Sequence, residues 1–385
     1  MKNKNLLIII GVLSICYMYV CDMANSAGLE SGLFALATRR AGLLTMAVLF
    51  CLFGFILENS VIEHISLVAL IFSFYMFIVG FNNKGEATTT AFISCVVYWA
   101  VLLTIFRGFD LQEDLKDKIT TICAVTSILI SVIYIYGLFT LERKTVGFSN
   151  SVYFVLCSIV FGLTTKVKFL RIISIVAASA AILFAAKTTC IVALIIVLGY
   201  FFSTHIFDKS IKSTFSSVLI FLIAFIVINE LYNILFSGSG SLITALTEDL
   251  QGDFESGSGR YDIFERVLNA FGDSSFSQAM FGHGYNSVSN YIEIGAHNDF
   301  LQVLFDYGVV GLILYLWFWI KLVKEAIRVK KAGGNHKPYV ASLLIFLCLS
   351  MASNVINSQI QMMFLVMFWG VNKYTENNER DLINA

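Results

Sequence analysis

Long apolar runs separated by short polar breaks cover almost the whole chain. A helix needs about 20 apolar residues to cross a bilayer. Runs approaching that length give twelve candidate spans, near 5–22, 42–58, 65–81, 88–106, 120–140, 151–165, 169–186, 188–203, 214–235, 299–320, 339–354 and 356–372. The stretch 169–203 is one apolar run divided here at Lys187, and the last two spans are parted only by a break around Asn354 to Asn357. The pattern predicts an all-α integral membrane protein with about 12 transmembrane helices. The first run follows Lys2 and Lys4, as in a signal peptide, but no small-x-small cleavage motif comes after it, so it reads as the first membrane helix.

One long connection interrupts the spans, residues 236–298. It opens with SGSGS, a flexible composition, and continues with SGSGRYDIFERVLNAFGD. Tyr261, Phe264, Val267, Leu268 and Phe271 recur there at helical spacing, which predicts a short amphipathic helix on the membrane surface or packed over the bundle. The chain therefore divides into N-terminal membrane helices (1–235, about nine spans), the loop (236–298), and C-terminal membrane helices with a tail (299–385, about three spans).

Composition agrees with the pattern. Of 385 residues, 58% are hydrophobic and 14% charged, more apolar surface than a soluble domain can bury. Net charge is zero, so nothing points to nucleic acid. The eight cysteines are scattered singly, with no C-x-x-C and no zinc spacing, and read as small buried hydrophobes. No metal or other cofactor is expected.

Lysine and arginine set the orientation, since they concentrate on the inner side. With the N-terminus inside, only Arg39, Arg40, Lys84, Arg143, Lys144, Lys187, Arg260 and Arg266 lie outside, and the other eighteen of the 26 basic residues lie inside. Both termini are then cytoplasmic and the long loop is external.

The candidate chemistry lies on that outer side. His297 stands at the mouth of a membrane helix, where Asn298 or Asp299 can cap the free backbone N–H groups. Asp306 lies nine residues further on, inside the apolar run, where an acid is costly unless it pairs or lines a wet cavity. Gly308 and Gly311 permit close approach of another helix. Arg260 opens the loop helix, an unfavourable place for a cation unless it and the helix N-terminus face an anion. Lys187 is either a snorkelling lysine at a tight turn or part of a basic cavity that would also use Arg143. Together these residues point to an anionic, lipid-side substrate with His297 as candidate base.

The block GHGYNSV…GAHNDFLQVLFDYGVVGLILYL resembles the signature region of the O-antigen polymerase and ligase superfamily. The matching residues are Gly282, Gly284, His297, Asn298, Leu301, Asp306, Gly308 and Gly311, while His283 has no counterpart. SGRYDIF resembles the family's arginine segment, GFSNSVYF its Gly/Asn helix opening, and AAKTTCIVALII its Ser-Arg-Thr segment with Lys187 in the arginine place. The resemblance implies a metal-independent, inverting glycosyltransferase of the bacterial inner membrane, with its active site in the periplasmic loop region. The donor would be a glycan on undecaprenyl pyrophosphate. A polymerase passes it to a new lipid-linked repeat unit, and a ligase passes it to the lipid A–core of lipopolysaccharide. Arg260, Arg266, Lys187 and Arg143 would bind pyrophosphate, with Arg260 also stabilising it as leaving group. His297 would serve as base, supported by Asn298 and Asp306. A polysaccharide chain-length regulator is an implied partner. The compact helix run favours a polymerase. A transporter of lipid-linked sugars, the rival of another class, would need polar residues deep in several helices.

Overall fold

A computed structural model of the protein describes residues 2–29, 40–58, 62–81, 89–141, 146–206, 260–332 and 336–373. Among these residues the structure is helical, with no strand. The first half comprises α1 (Lys2–Ser26), α2 (Arg40–Glu58), α3 (His64–Phe81), α4 (Thr89–Val96), α5 (Tyr98–Gly108) and α6 (Glu113–Thr140). It continues with α7 (Val146–Asn150), α8 (Val152–Thr164), α9 (Lys168–Phe184) and α10 (Thr188–Ile206). After the loop come α11 (Arg260–Gly272), α12 (Phe276–Phe281), α13 (Ser287–Ile292), α14 (Asp299–Lys331), α15 (His336–Ala352) and α16 (Gln359–Val371).

Among the described residues, five helical stretches, starting at Lys4, His64, Glu113, Gly147 and Asp299, are long and apolar enough to cross a membrane, and the chain is a multi-pass membrane protein. The candidate span 214–235, the SGSGS hinge and Arg143 lie outside the described residues. The run 88–106 is divided at Val97 into α4 and α5. The long run 169–203 does break at Lys187, through a turn in which Ala186 takes φ +49°.

Large aromatic side chains fill the bundle. Tyr19 of α1 stacks on Phe364 of α16 at 3.8 Å between ring centroids, and its hydroxyl accepts a hydrogen bond from the Phe364 backbone N–H at 3.2 Å. Trp99 packs against Phe318 and Phe318 against Trp369, and the Trp369 indole N–H donates to Ser342 Oγ at 2.8 Å. A polar pair, Ser127 Oγ and Ser158 Oγ at 2.7 Å, joins α6 to α8.

Alternation of the helices sorts their ends. One end gathers the close of α1, the start of α7, the α9–α10 turn, the loop helices and the α15–α16 connection. The opposite end is locked by charge. Arg107, 2% exposed, donates from Nε and Nη2 to Glu63 Oε2 at 2.8 and 2.6 Å, and from Nη2 to Glu325 Oε1 at 2.7 Å. Lys373 donates to Glu63 Oε1 at 3.0 Å and to the Arg107 carbonyl. Burial pushes the Glu63 carboxyl up, but Arg107 and Lys373 outweigh it and hold Glu63 below its ordinary range. This cluster ties α5, α14, α16 and the segment before α3 together. Removing one partner of a buried ion pair leaves the other charge uncompensated and costs about 3–5 kcal/mol. Arg107→Met, which strands the buried Glu325, is therefore expected to lower the detergent unfolding midpoint and the membrane-fraction level sharply. An unchanged midpoint would show that the cluster is dispensable.

Candidate active site

The signature block folds as a backbone clasp. α14 is two helices joined at Gly308, whose φ +67° and ψ −171° are non-helical. The break frees carbonyls that a continuous helix would have used, and three of them find partners outside the helix. Phe305 O accepts from the His283 N–H at 3.1 Å and Asp306 O from the Gly284 N–H at 2.9 Å. Tyr307 O accepts from the Tyr75 hydroxyl of α3 at 2.9 Å. A non-helical backbone within a membrane protein is tolerable only when its polar groups are met in this way.

Glycine is required on both sides of the clasp. A Cβ on Gly282 would lie 2.2 Å from Asp306 O, and one on Gly308 would lie 2.4 Å from Met280 O. The close approach read from Gly308 is thus to the end of helix α12, at Met280, and to Gly282 just beyond it. Gly311 also faces a helix, with Tyr75 of α3 beside it.

Asp306 anchors this clasp. Fully buried, its carboxylate accepts from the backbone N–H groups of Asn286 at 2.9 Å and Val288 at 3.1 Å. It also accepts from Gln302 Nε2 at 2.7 Å. It fixes the 282–288 turn and the start of α13. His283 is likewise built in: its ring stacks on Phe305 at 4.2 Å, and its nitrogens reach Ser274 Oγ and Phe305 O, each at 3.1 Å.

Above the clasp, α11 packs over the bundle. Ile263 and Val267 are buried against Val288, Ile292, Ala296 and Phe305. The amphipathic helix forms where the periodicity placed it, but Tyr261 and Leu268 point outward, 72% and 50% exposed. Asn298 caps α14, its side chain accepting from the Leu301 N–H at 3.1 Å. Asp299 is buried as well, accepting from the Tyr315 hydroxyl and the Ile356 N–H, both at 3.2 Å.

A cavity of about 650 Å³ opens at this end, within the range of ligand sites. His297 and Lys187, 110 positions apart in sequence, both line it, together with Asn150, Tyr153 and Ile263. Lys187 Nζ donates to Asn150 Oδ1 and sits 4.4 Å from the Tyr153 ring centre, so the lysine is turned into the cavity wall. His297 precedes the α14 cap with φ +49°, a left-handed turn that brings the residue to the cavity. Arg260 begins α11 one turn before Ile263, and nothing is described of its side chain. Arg266 is not among the lining residues and donates to Ile292 O at 2.8 Å.

Two parts of the wall escaped the sequence reading. Asp22, 4% exposed, lines the cavity near the C-terminal end of α1. The signal was present, because it is the sole acid in the first apolar run. The α15–α16 connection contributes Ser353, Asn354, Asn357 and Ser358, and α16 itself Gln361. A cation, an imidazole and a carboxylate thus face one polar chamber, a combination suited to holding an anion and moving a proton from a hydroxyl.

Residues 173–316, which run from α9 into the first half of α14, match the family model described as O-antigen ligase. The match supports the O-antigen polymerase and ligase superfamily and suggests a glycosyltransferase-like enzyme of polysaccharide assembly. No curated protein matches the chain.

Proposed function

We propose that this protein elongates a surface polysaccharide at the periplasmic face of the bacterial inner membrane, with both termini cytoplasmic. The growing glycan moves from undecaprenyl pyrophosphate to a new lipid-linked repeat unit. The observation that carries this reading is the shared cavity of Lys187 and His297. Residues 1–235 and 299–385 would form the membrane scaffold around it, with 236–298 as periplasmic cover.

In this reaction the acceptor hydroxyl oxygen attacks the anomeric carbon from the face opposite the pyrophosphate, so the centre inverts. The new glycosidic C–O bond forms as the carbon–phosphate-oxygen bond breaks. The electron pair leaves on pyrophosphate, where Lys187 and Arg260 stabilise it. The hydroxyl proton passes to the His297 imidazole. Fixed cations supply the charge stabilisation in this scheme.

The description of the matching family favours one second reading, a ligase that delivers finished glycan to lipid A–core. Deleting the gene separates the two. Loss of a polymerase leaves single repeat units, whereas loss of a ligase leaves long glycan on undecaprenyl pyrophosphate and bare lipid A–core. Within either reading, Lys187→Arg should retain activity, and Lys187→Ala should lose about 10²–10³-fold, as when one charge-stabilising donor is removed. Full activity of Lys187→Ala in complementation would return Lys187 to a purely structural role at its turn.

A further inference from the structure

Ser353, Asn354, Asn357, Ser358 and Gln361, from the amide-rich stretch SNVINSQIQ at residues 353–361, line a part of the cavity wall that the transfer chemistry above does not use. Three carbonyl oxygens in that wall, Asn354 Oδ1, Asn357 Oδ1 and Gln361 Oε1, are buried without a hydrogen-bond partner among the described residues. Buried polar atoms are rarely left unpaired, and three together on one cavity call for an occupant.

Their orientation is set by Asp306. Its two oxygens accept from the Asn286 and Val288 N–H groups, and Gln302 turns its NH₂ group to Asp306 Oδ2, at 2.7 Å. Gln302 Oε1 then accepts from Asn354 Nδ2 at 2.9 Å and the Ala296 N–H at 3.1 Å. Asn357 Nδ2 is directed at the same carboxylate, 3.5 Å away. Both asparagines therefore spend their donors inward and keep their acceptors. Gln361 Oε1 likewise has no hydrogen-bond partner among the described residues and is left to accept from a ligand. It lies one turn outward of the Tyr19–Phe364 contact on α16, as Asp22 does on α1. The result is a cluster of acceptors from α1, the α15–α16 connection and α16, elements other than those that carry Lys187 and Asn150.

We infer that this acceptor wall is a subsite for the hydroxyl groups of a sugar ring, distinct from the pyrophosphate contact at Lys187. Acceptors select donors, and neutral sugars present O–H donors at every position. Pyrophosphate and carboxylate groups present only acceptors and are disfavoured there. The inference rests on the glycosyl-transfer reading and assigns Asn357, Gln361 and Asp22 to sugar recognition.

The test compares two ligands on the purified full chain in lipid nanodiscs. One is undecaprenyl pyrophosphate, and the other is undecaprenyl-pyrophosphate-linked repeat unit extracted from cells lacking this gene. Gln361→Met keeps the side-chain length and removes a buried oxygen without a partner among the described residues, so the unfolding midpoint should hold or rise. Its affinity for the sugar-bearing lipid should fall about 3- to 10-fold, the worth of one neutral hydrogen bond, with bare-lipid affinity unchanged. Asn357→Leu should behave likewise toward the two lipids, and Lys187→Ala should weaken both. Unaltered sugar-lipid binding in both amide variants, or equal loss of both lipids, would overturn the subsite while leaving the transfer reading in place. Failure of the wild-type chain to bind either lipid would instead remove the transfer reading, and the subsite with it.

Discussion

Gly308→Ala and Gly282→Ala are expected to deplete the protein from the membrane, whatever the substrate. At Gly308 the backbone occupies a region open essentially to glycine, and a residue forced there costs about 1–3 kcal/mol. The added methyl would then press on Met280 O at 2.4 Å and on Gly282 N at 2.6 Å. Those atoms belong to the clasp and cannot move without breaking the His283 and Gly284 bonds to α14. Overpacking of this kind adds about 1–3 kcal/mol. The two terms together rival a large part of the roughly 5–15 kcal/mol that holds a typical domain folded. Gly272→Ala is the matched control, because nothing lies within 4 Å of its added Cβ. Membrane-fraction protein and the detergent unfolding midpoint should fall for the first two variants and hold for the third. Normal levels of Gly308→Ala would mean that the break in α14 is not a feature of the folded protein.

That break also shows what a sequence can and cannot reveal here. Hydrophobic runs locate helices well, because each membrane helix must meet its own backbone needs. Lys187 was legible as a boundary because a charge stands out in an apolar run. DFLQVLFDYGVVGLILYL carries a charge as well, Asp306, but its Gly308 break depends on donors from residues 283 and 284 and from Tyr75. Those partners are fixed only by the tertiary fold. Periodicity likewise found α11 but listed Tyr261 and Leu268 with its apolar face, since the inward stripe depends on what α13 and α14 present. Asp306 was recognised as costly in a membrane run, and its carboxylate is indeed fully engaged, by the 286–288 turn and Gln302. The convergence of His297, Lys187 and the 353–361 amides could not be read from spacing, because they come from three separate stretches of the chain.

The largest catalytic effect is expected at His297, and the backbone there decides which variant tests it. At φ +49° most side chains are strained, while Asn and Gly tolerate that region. Alanine would mix lost chemistry with a strained turn beside the Asn298 cap. His297→Asn and His297→Gly keep the turn and remove the imidazole. If the ring accepts the proton of the attacking hydroxyl, both variants should lose about 10²–10⁴-fold in elongation rate, with normal protein level and intact binding of undecaprenyl pyrophosphate. Single repeat units should accumulate on the lipid or core. Arg260→Ala should give the same block through the leaving group rather than the base, and should also weaken pyrophosphate binding. That difference separates the two roles within one experiment. Long polysaccharide ladders from well-expressed His297→Asn and His297→Gly variants would rule out the base assignment. Asp22, a second proton acceptor among the described residues of the cavity wall, would then be the group to replace next.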